Sequence, residues 1–186
     1  SFAFIGGEGS GVSTLVGELA ASLALAGGRP QLIEHQPGHQ QARRLGLPAT
    51  GTFASLAISL GGINELMVAN RYGLNLVNLA ASSDDRTRLS PRLWRRLANE
   101  FASVEADSSV LLIDCPAIAE DPAPACIADN LVLVLSPDAD SLTQGYASLK
   151  RLAAEYARRR FNILVNRAQD FGEAQAVFNR LNSVAG

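Results

Sequence analysis

Residues 2–14, FAFIGGEGSGVST, combine a short apolar run, a glycine-rich loop and the start of a helical pattern. Residues 6–13 match the phosphate-binding pattern G-x-x-x-x-G-K-[ST] at every fixed position except one, where Val12 replaces the lysine. Glycines in such a loop let backbone N–H groups face a phosphate, and the following helix N-terminus adds partial positive charge. The stretch therefore predicts either a phosphate loop that has lost its lysine or a tight strand-to-helix turn.

The side chains of the loop weaken the expected binding. A lysine supplies a full positive charge against the β- and γ-phosphates, whereas Val12 supplies none and its methyl groups would point toward the polyanion. Glu8 adds a negative charge, while the hydroxyl of Ser13 can hold a magnesium ion. The predicted nucleotide-binding residues of this stretch are Gly6, Gly7, Gly9, Ser10, Gly11, Val12, Ser13 and Thr14.

Composition limits the classes of protein. With 186 residues, 47% of them hydrophobic, the chain can build one domain with a sizeable core. Its net charge of −2 provides no basic field for nucleic acid or an anionic membrane. Lys150 is the only lysine beside fifteen arginines, so no lysine near the loop replaces the missing one.

Cysteine usage and hydropathy indicate a cytoplasmic protein. Cys115 and Cys126 lack the paired spacing of a metal site and are too few for a disulfide framework, so reduced thiols are expected. No apolar stretch is long enough and free enough of charge to span a bilayer. We therefore expect no stable membrane insertion.

Short apolar runs and helical patterns alternate along the chain. About six strands are predicted, at residues 2–5, 31–35, 75–79, 109–116, 130–137 and 161–166. Helices are predicted at residues 12–25, 40–45, 90–103, 123–128, 141–158 and 171–181, with one or two short ones within 53–69. Continuous apolar strands are typical of parallel sheets covered on both faces. The prediction is an α/β fold with a doubly wound, mainly parallel sheet flanked by helices.

Ligands of such folds bind at the carboxyl ends of the strands. Asp114 ends a buried strand and is a candidate partner of Ser13 in binding magnesium, although such an aspartate can also cap the next turn. After the second strand, Glu34 is followed by His35 and His39, which are expected to be surface loop residues without a role. Their spacing is only weak evidence for a metal site. Cys115 is expected to be a packed thiol.

Five stretches in this order resemble the MinD/ParA group of ATPases, and most closely its branch that regulates flagellar number (FlhG, also called FleN). They are the glycine loop, LIEHQPG (32–38), LLIDCPA (111–117), VLVLSPDADSLTQGYASLKRL (132–152) and RRFNILVNRAQDFGEAQAVFNRL (159–181). The resemblance covers nearly the whole chain and implies an ATP-dependent dimer that encloses two nucleotides and cycles between membrane and cytosol.

The chain departs from this family at its charged catalytic positions. The family loop reads like G-K-G-G-V-G-K-T, and here Gly7 and Val12 stand in place of its two lysines. Gln36 stands where the resemblance places a water-orienting aspartate. Ser13 and Asp114 are kept as magnesium ligands, and the resemblance places Asn166 where the family reads the adenine. Arg167 is also predicted to bind nucleotide. We therefore expect a pseudo-ATPase without catalytic residues, which binds ATP or ADP with magnesium weakly or not at all.

The resemblance also suggests partners. We expect a regulatory or adaptor protein that controls flagellar number or motility by binding a transcription activator, a signal-recognition-type GTPase or a secretion or motility component. The helix PRLWRRL offers a candidate surface around Trp94, although an inward Trp94 with solvated arginines (Arg92, Arg95 and Arg96) fits the pattern as well.

Three alternatives stay open. A weak Mg-ATPase of the positioning or partitioning type would need another cation, and the nearest in sequence are Arg29, Arg43 and Arg44. Related degenerate members accompany cellulose secretion or pilus assembly. Nonspecific DNA binding through residues 158–160 is disfavoured by the net charge of −2.

Residues 1–186 are expected to form a single MinD/ParA-like domain. Relatives continue beyond the position of Gly186 with more sheet and an amphipathic membrane-targeting helix, and the helix predicted at residues 171–181 suits packing on the sheet instead. We expect this chain to lack both additions, either because it is shortened or because the protein has lost membrane cycling. A homodimer that does not depend on nucleotide is left open.

Overall fold

The computed structural model describes residues 1–36, 38–49, 51–52, 55–56, 59–79, 91–115 and 123–185. The chain divides into two compact units. The first unit comprises Ser1 and Ser13–Asp114, and the second comprises Phe2–Val12 and Cys115–Gly186. The single domain expected over residues 1–186 stays a prediction.

The first unit contains four strands in the order β3-β4-β2-β5. Their bounds are β2 Pro30–Glu34, β3 Met67–Ala69, β4 Asn75–Asn78 and β5 Val110–Asp114. Strand β2 pairs in parallel with both β4 and β5, whereas the short β3 pairs antiparallel with β4. The helices are α1 Val12–Leu25, α2 Gln40–Leu45, a 3-10 helix at Gly62–Leu66 and α3 Pro91–Ala106.

The register of these strands brings three polar residues together. Glu34, the last residue of β2, lies opposite Asn78 in β4 and Asp114 in β5. All five residues of β2 are buried, and the strand has neighbours on both edges. The carboxyl ends of three parallel strands therefore form one buried polar position in the first unit.

The second unit contains three parallel strands in the order β1-β6-β7. They are β1 Phe2–Gly6, β6 Asn130–Leu135 and β7 Asn162–Val165. Helices α4 Ala123–Ile127, α5 Ala139–Tyr156 and α6 Phe171–Ala185 complete the unit. Leu133 and Leu135 of β6 pack with Val177 and Leu181 of α6, so this helix covers the strands as predicted.

The predicted fold class is confirmed, since the described residues contain seven strands, mainly parallel, that are flanked by helices. The sequence did not predict β3, since helical structure was expected throughout residues 53–69. Met67–Ala69 is too short to show a strand period, and its hydrogen bonds to β4 determine its conformation. Of that stretch, residues 53–54 and 57–58 lie outside the described part of the chain. None of the described helices has the length and hydrophobicity needed to span a bilayer.

Candidate functional site

The glycine loop of the second unit is a compact turn that needs its glycines. Gly9 and Gly11 have positive φ angles of 79° and 80°, a region that residues with a Cβ rarely adopt. The backbone N and the Oγ of Ser10 both donate to the carbonyl of Gly7, at 3.2 and 2.7 Å. The loop thus has its own hydrogen bonds.

Val12 takes the position of the missing lysine but faces inward. Its side chain is 5% exposed, and a methyl group at Gly6 would overlap the Cγ2 of Val12 and the Oγ of Ser10. The expectation that the valine methyl groups point toward a bound polyanion is therefore wrong, because they pack beside Gly6. The side chain of Val12 thus helps to fold the loop and supplies no charge to a phosphate.

A glutamine from α5 occupies part of the loop. The backbone N–H of Glu8 donates to the Oε1 of Gln144 at 2.9 Å, and the same side chain fills the space beside Gly7. In a phosphate loop, N–H groups of this kind donate to phosphate oxygens. Gln144 lies 136 residues from Glu8, and no sequence pattern indicated this contact.

Two residues predicted to bind nucleotide lie beside the loop. The Nδ2 of Asn166 donates to the carbonyl of Ser10 at 2.9 Å. Arg167, in a left-handed conformation with φ 61°, has its guanidinium beside Gly11. Arg167 is thus a cation near the loop. The sequence suggested only Arg29, Arg43 and Arg44 as cations that could replace the missing lysine.

Those three arginines have other surroundings in the first unit. Arg43 donates to the carbonyl of Gly38 at 2.6 Å, and Arg44 donates to the Oγ1 of Thr14 at 2.6 Å. Arg29 lines a separate cavity. Thr14, predicted to bind nucleotide, therefore already accepts a hydrogen bond from Arg44.

The predicted magnesium ligands lie next to each other in the first unit. The Oγ of Ser13 donates to the Oδ1 of Asp114 at 3.1 Å. The Nε2 of Gln41 donates to the Oδ2 of Asp114 at 2.7 Å and to the carbonyl of Ser13 at 2.5 Å. Gln36 is a third side chain that hydrogen-bonds to Asp114. Both oxygens of the carboxylate thus have donors from the protein itself.

Burial governs the ionisation of Asp114. Its side chain has no exposed surface, and burial raises its pKa from 3.8 to about 6. The hydrogen bonds from Gln41 and Ser13 oppose this rise, whereas the charge of nearby Glu34 adds to it. The donors therefore only partly replace the water that the carboxylate has lost.

Glu34 has a structural role that the sequence did not indicate. Its carboxylate accepts hydrogen bonds from the backbone N–H groups of Gln41 at 2.7 Å and Ala42 at 3.4 Å, at the start of α2. The Nδ2 of Asn78 donates to it at 2.7 Å. Burial is the main cause that raises the pKa of Glu34, and these donors oppose it. Glu34 thus links α2 to the strand ends.

The surface position expected for His35 is wrong. His35 is 2% exposed, and its Nδ1 lies 3.1 Å from the carbonyl of Leu79. His39 precedes α2 with a positive φ of 53°. Cys115 is buried, as a packed thiol would be. Within the described ranges, no three or more His, Cys, Asp and Glu side chains are grouped closely enough to hold a metal.

The predicted partner surface on α3 is only partly described. Arg92 and Arg95 are exposed. Arg96 pairs with Glu100 at 3.7 Å and donates to the carbonyl of Ser59. The side chain of Trp94 lies outside the described part of the structure, so its predicted role is left as a prediction.

The nucleotide that this kind of fold implies is a magnesium complex, and the two predicted ligands of the metal, Ser13 and Asp114, are hydrogen-bonded to each other and to Gln41. A magnesium ion needs oxygen lone pairs in near-octahedral geometry. At Asp114 those lone pairs accept hydrogen bonds from Ser13 and Gln41, and the Gln41 amide presents hydrogens where a cation would need oxygen. In this arrangement Gln41 competes with a magnesium ion for the Oδ2 of Asp114.

Comparison with known proteins identifies a relative by sequence similarity. No family model matches the sequence. The chain is 26% identical over 186 residues to the antiactivator FleN of Pseudomonas aeruginosa, an alignment that covers 98% of this chain. The chain spans 66% of the length of FleN.

Solved structures share the fold. The MinC:MinD cell division complex of Aquifex aeolicus matches with a TM-score of 0.73 at 16% identity, covering 99% of this chain and 72% of that one. MinD of Pyrococcus horikoshii, complexed with Mg-ADP, matches with a TM-score of 0.70 at 18% identity, covering 95% and 76%. At these identities the likeness concerns the fold alone. The chain thus has the fold of the MinD/ParA ATPases and resembles FleN along nearly its whole length, which confirms the family resemblance indicated by its motifs.

Proposed function

We propose that this chain is a MinD-like regulator that does not hydrolyse ATP and acts through contacts with another protein. The observation that carries the proposal is the hydrogen-bonded state of Asp114. Ser13 and Gln41 donate to its two oxygens, at 3.1 and 2.7 Å, in the place where a hydrolytic site needs a metal ligand. An amide that donates to a carboxylate excludes a cation from the same lone pairs.

The loss of charge supports the same conclusion. Val12 is buried at the lysine position, Gly7 replaces the second lysine, and Gln36 hydrogen-bonds to Asp114 instead of orienting water. Each charged contact with the transferring phosphoryl group is worth several kcal/mol of the barrier, roughly 3 to 4 when one donor is removed. The combined loss of all three should leave almost no hydrolysis.

The relatives guide the proposal of a partner. FleN is an antiactivator, and the A. aeolicus MinD structure is a complex with MinC. We propose a transcription activator as the partner of this chain, in the control of flagellar number or motility in the cytoplasm. A signal-recognition-type GTPase or a secretion or motility component are the other classes to test.

Nucleotide binding without hydrolysis is a second candidate, and Arg167 favours it. Its guanidinium lies beside Gly11, where it could attract a phosphate that the missing lysines no longer hold. Such binding would not need magnesium. It would need Gln144 to release the N–H of Glu8.

Titration calorimetry with ATP and ADP, with and without magnesium, tests the proposal. We expect no magnesium-dependent heat up to millimolar nucleotide and no released phosphate in a parallel hydrolysis assay. Micromolar magnesium-dependent binding with turnover would overturn it. Nucleotide binding without hydrolysis would be established by a binding heat that does not depend on magnesium. This heat should disappear in Arg167→Gln and persist in the exposed control Arg159→Gln.

The variant Gln41→Ala tests directly whether Gln41 keeps a metal ion away from Asp114. Removing the amide should raise the affinity for Mn-ADP, measured by the paramagnetic signal of the bound ion, because the Oδ2 of Asp114 loses a donor that competes with the metal. The fold should lose about 1 to 3 kcal/mol, since the carboxylate loses a donor. The exposed Gln175→Ala is the matched control. Unchanged Mn-ADP affinity in a folded Gln41→Ala protein would contradict the exclusion.

A further inference from the structure

The side chain of Gln144 reaches the glycine loop from a helix that is firmly seated on the sheet. The Oγ of Ser141, about one turn earlier in α5, accepts a hydrogen bond from the backbone N–H of Ser136 at 2.9 Å, and both serines are buried. Gly145 lies so close to β6 that a methyl group there would come within 2.3 Å of the Cδ2 of Leu135. These two contacts fix the backbone of α5 on either side of Gln144.

The position of this helix directs the Gln144 side chain onto two residues of the loop. Its Oε1 accepts the hydrogen bond from the backbone N–H of Glu8 at 2.9 Å. A methyl group at Gly7 would lie 2.4 Å from the same oxygen and 3.1 Å from the Cβ of Gln144. The absence of a side chain at Gly7 therefore makes room for the glutamine.

The contact between Gln144 and the loop resembles the binding of an anion. A carbonyl oxygen that accepts from a loop N–H takes the place in which a phosphate oxygen accepts in a phosphate-binding loop. The amide oxygen of Gln144 is uncharged, so it satisfies the N–H without bringing a negative charge to the loop. Gln144 thus serves as the protein's own ligand of the loop.

The rest of the loop can still receive an anion. Gly9 is exposed and borders open space. The guanidinium of Arg167 lies beside Gly11 and supplies positive charge. Displacement of Gln144 would add the N–H of Glu8 to this open surface. The exposed carboxylate of Glu8 opposes the charge of Arg167, so weak binding is expected.

We propose that Gln144 is an autoinhibitory group, which occupies the glycine loop in place of an anion and hinders the loop from binding one. The class of ligand is a phosphate compound, bound without magnesium. This role of Gln144 rests on the second candidate function, nucleotide binding without hydrolysis, only for the kind of ligand. Because the contact is an exposed hydrogen bond between uncharged groups, its loss should change the affinity by about two- to tenfold.

Calorimetry of the whole chain with inorganic pyrophosphate, without magnesium, tests the proposal. Gln144→Ala should bind pyrophosphate about two- to tenfold more tightly than wild type, whereas the exposed control Gln175→Ala should bind like wild type. Gln144→Glu should bind less tightly than wild type, since its carboxylate keeps the N–H of Glu8 and repels the ligand. Equal binding by wild type and folded Gln144→Ala, or no binding by either, would overturn the proposal.

A second variant reaches the same contact from the loop. Gly7 does not have a positive φ, so alanine suits its backbone, and the methyl group of Gly7→Ala should expel the Oε1 of Gln144. The affinity for pyrophosphate should rise here too, and the gains of Gly7→Ala and Gln144→Ala should not add in the double variant. Fully additive gains would overturn the autoinhibitory role. Hydrolysis of ATP by wild type would overturn the proposed function and leave this comparison of affinities unaffected.

Discussion

At the scale of single residues, Asp114 is a buried carboxylate held by the protein's own donors. Ser13, Gln36 and Gln41 supply its hydrogen bonds. Burial still dominates its ionisation and raises its pKa to about 6. The neutral acid is therefore favoured in the folded state compared with the unfolded chain, where the pKa is 3.8.

This shift predicts a dependence of stability on pH. The stability that the raised pKa of Asp114 adds to the folded protein is fully present below the unfolded pKa of 3.8. It is lost as the pH rises through the folded pKa of about 6. The loss is about 3 kcal/mol in the free energy of unfolding, because one pKa unit corresponds to about 1.4 kcal/mol. Urea denaturation of wild type and Asp114→Asn across this window measures it.

The two curves of that experiment should differ in slope. The free energy of unfolding of wild type should fall relative to that of Asp114→Asn between about pH 4 and about pH 6, since asparagine does not titrate. Asp140→Asn, at an exposed position of α5, should follow wild type. Parallel curves for wild type and Asp114→Asn would show that Asp114 keeps its ordinary pKa in the fold.

Only some of the contacts at the candidate site could be predicted from the sequence. The proximity of Ser13 and Asp114 was predictable, because one follows the glycine loop and the other ends a parallel strand. The contacts of Gln41 and Gln144 were not predictable, since these side chains reach their partners across 73 and 136 residues and no pattern in the sequence pairs them. The glutamine contacts at the candidate site are thus long-range contacts.

At the scale of elements, α5 ends with an unfavourable residue. Its C-cap, Ala157, has a positive φ of 55°, and its N–H donates to the carbonyl of Leu152. A left-handed residue with a Cβ costs roughly 1 to 2 kcal/mol, a penalty that glycine avoids. The helix therefore contains a local strain that a single substitution can remove.

Ala157→Gly should stabilise the protein by about 1 kcal/mol, because glycine adopts this conformation without the steric penalty. Ala154→Gly, an exposed position inside the same helix, should instead destabilise it by roughly 0.5 to 1 kcal/mol. Denaturant unfolding of both variants gives the comparison. Destabilisation by Ala157→Gly would contradict the left-handed C-cap.

The elements were predictable to different degrees. Helix α1 was predicted at its observed bounds, Val12–Leu25, because glycines flank an unbroken helical pattern. Strand β3 was missed, because three residues carry no periodicity and pairing with β4 makes them a strand. A long periodic segment can thus be predicted from its own sequence pattern, whereas a short edge strand forms only through pairing with a neighbouring strand.

At the scale of the whole molecule, the net charge of −2 bears on the alternative of DNA binding. Nonspecific binding depends on phosphate neutralisation and falls steeply with salt. The cations near residues 158–160 are partly engaged, since Arg158 donates to the carbonyls of Ala128 and Asp129.

We therefore expect no binding to duplex DNA at about 0.15 M salt, the physiological ionic strength. Fluorescence anisotropy of a labelled duplex across a salt series measures it. Arg159→Gln and Arg160→Gln should change nothing. Binding with a steep log–log salt slope, reduced in these two variants, would revive the DNA-binding alternative.

The sequence by itself determined the class of fold, the position of the glycine loop and the uncharged residues Gly7, Val12 and Gln36 at the motif positions. These follow from local patterns: apolar runs, glycine spacing and the residues at fixed motif positions. Only the tertiary structure decided that Val12 packs beside Gly6, that Gln41 holds Asp114 and that Gln144 enters the loop. The physical reason is that a hydrogen bond between distant residues depends on how strands and helices pack, and no local pattern encodes that packing.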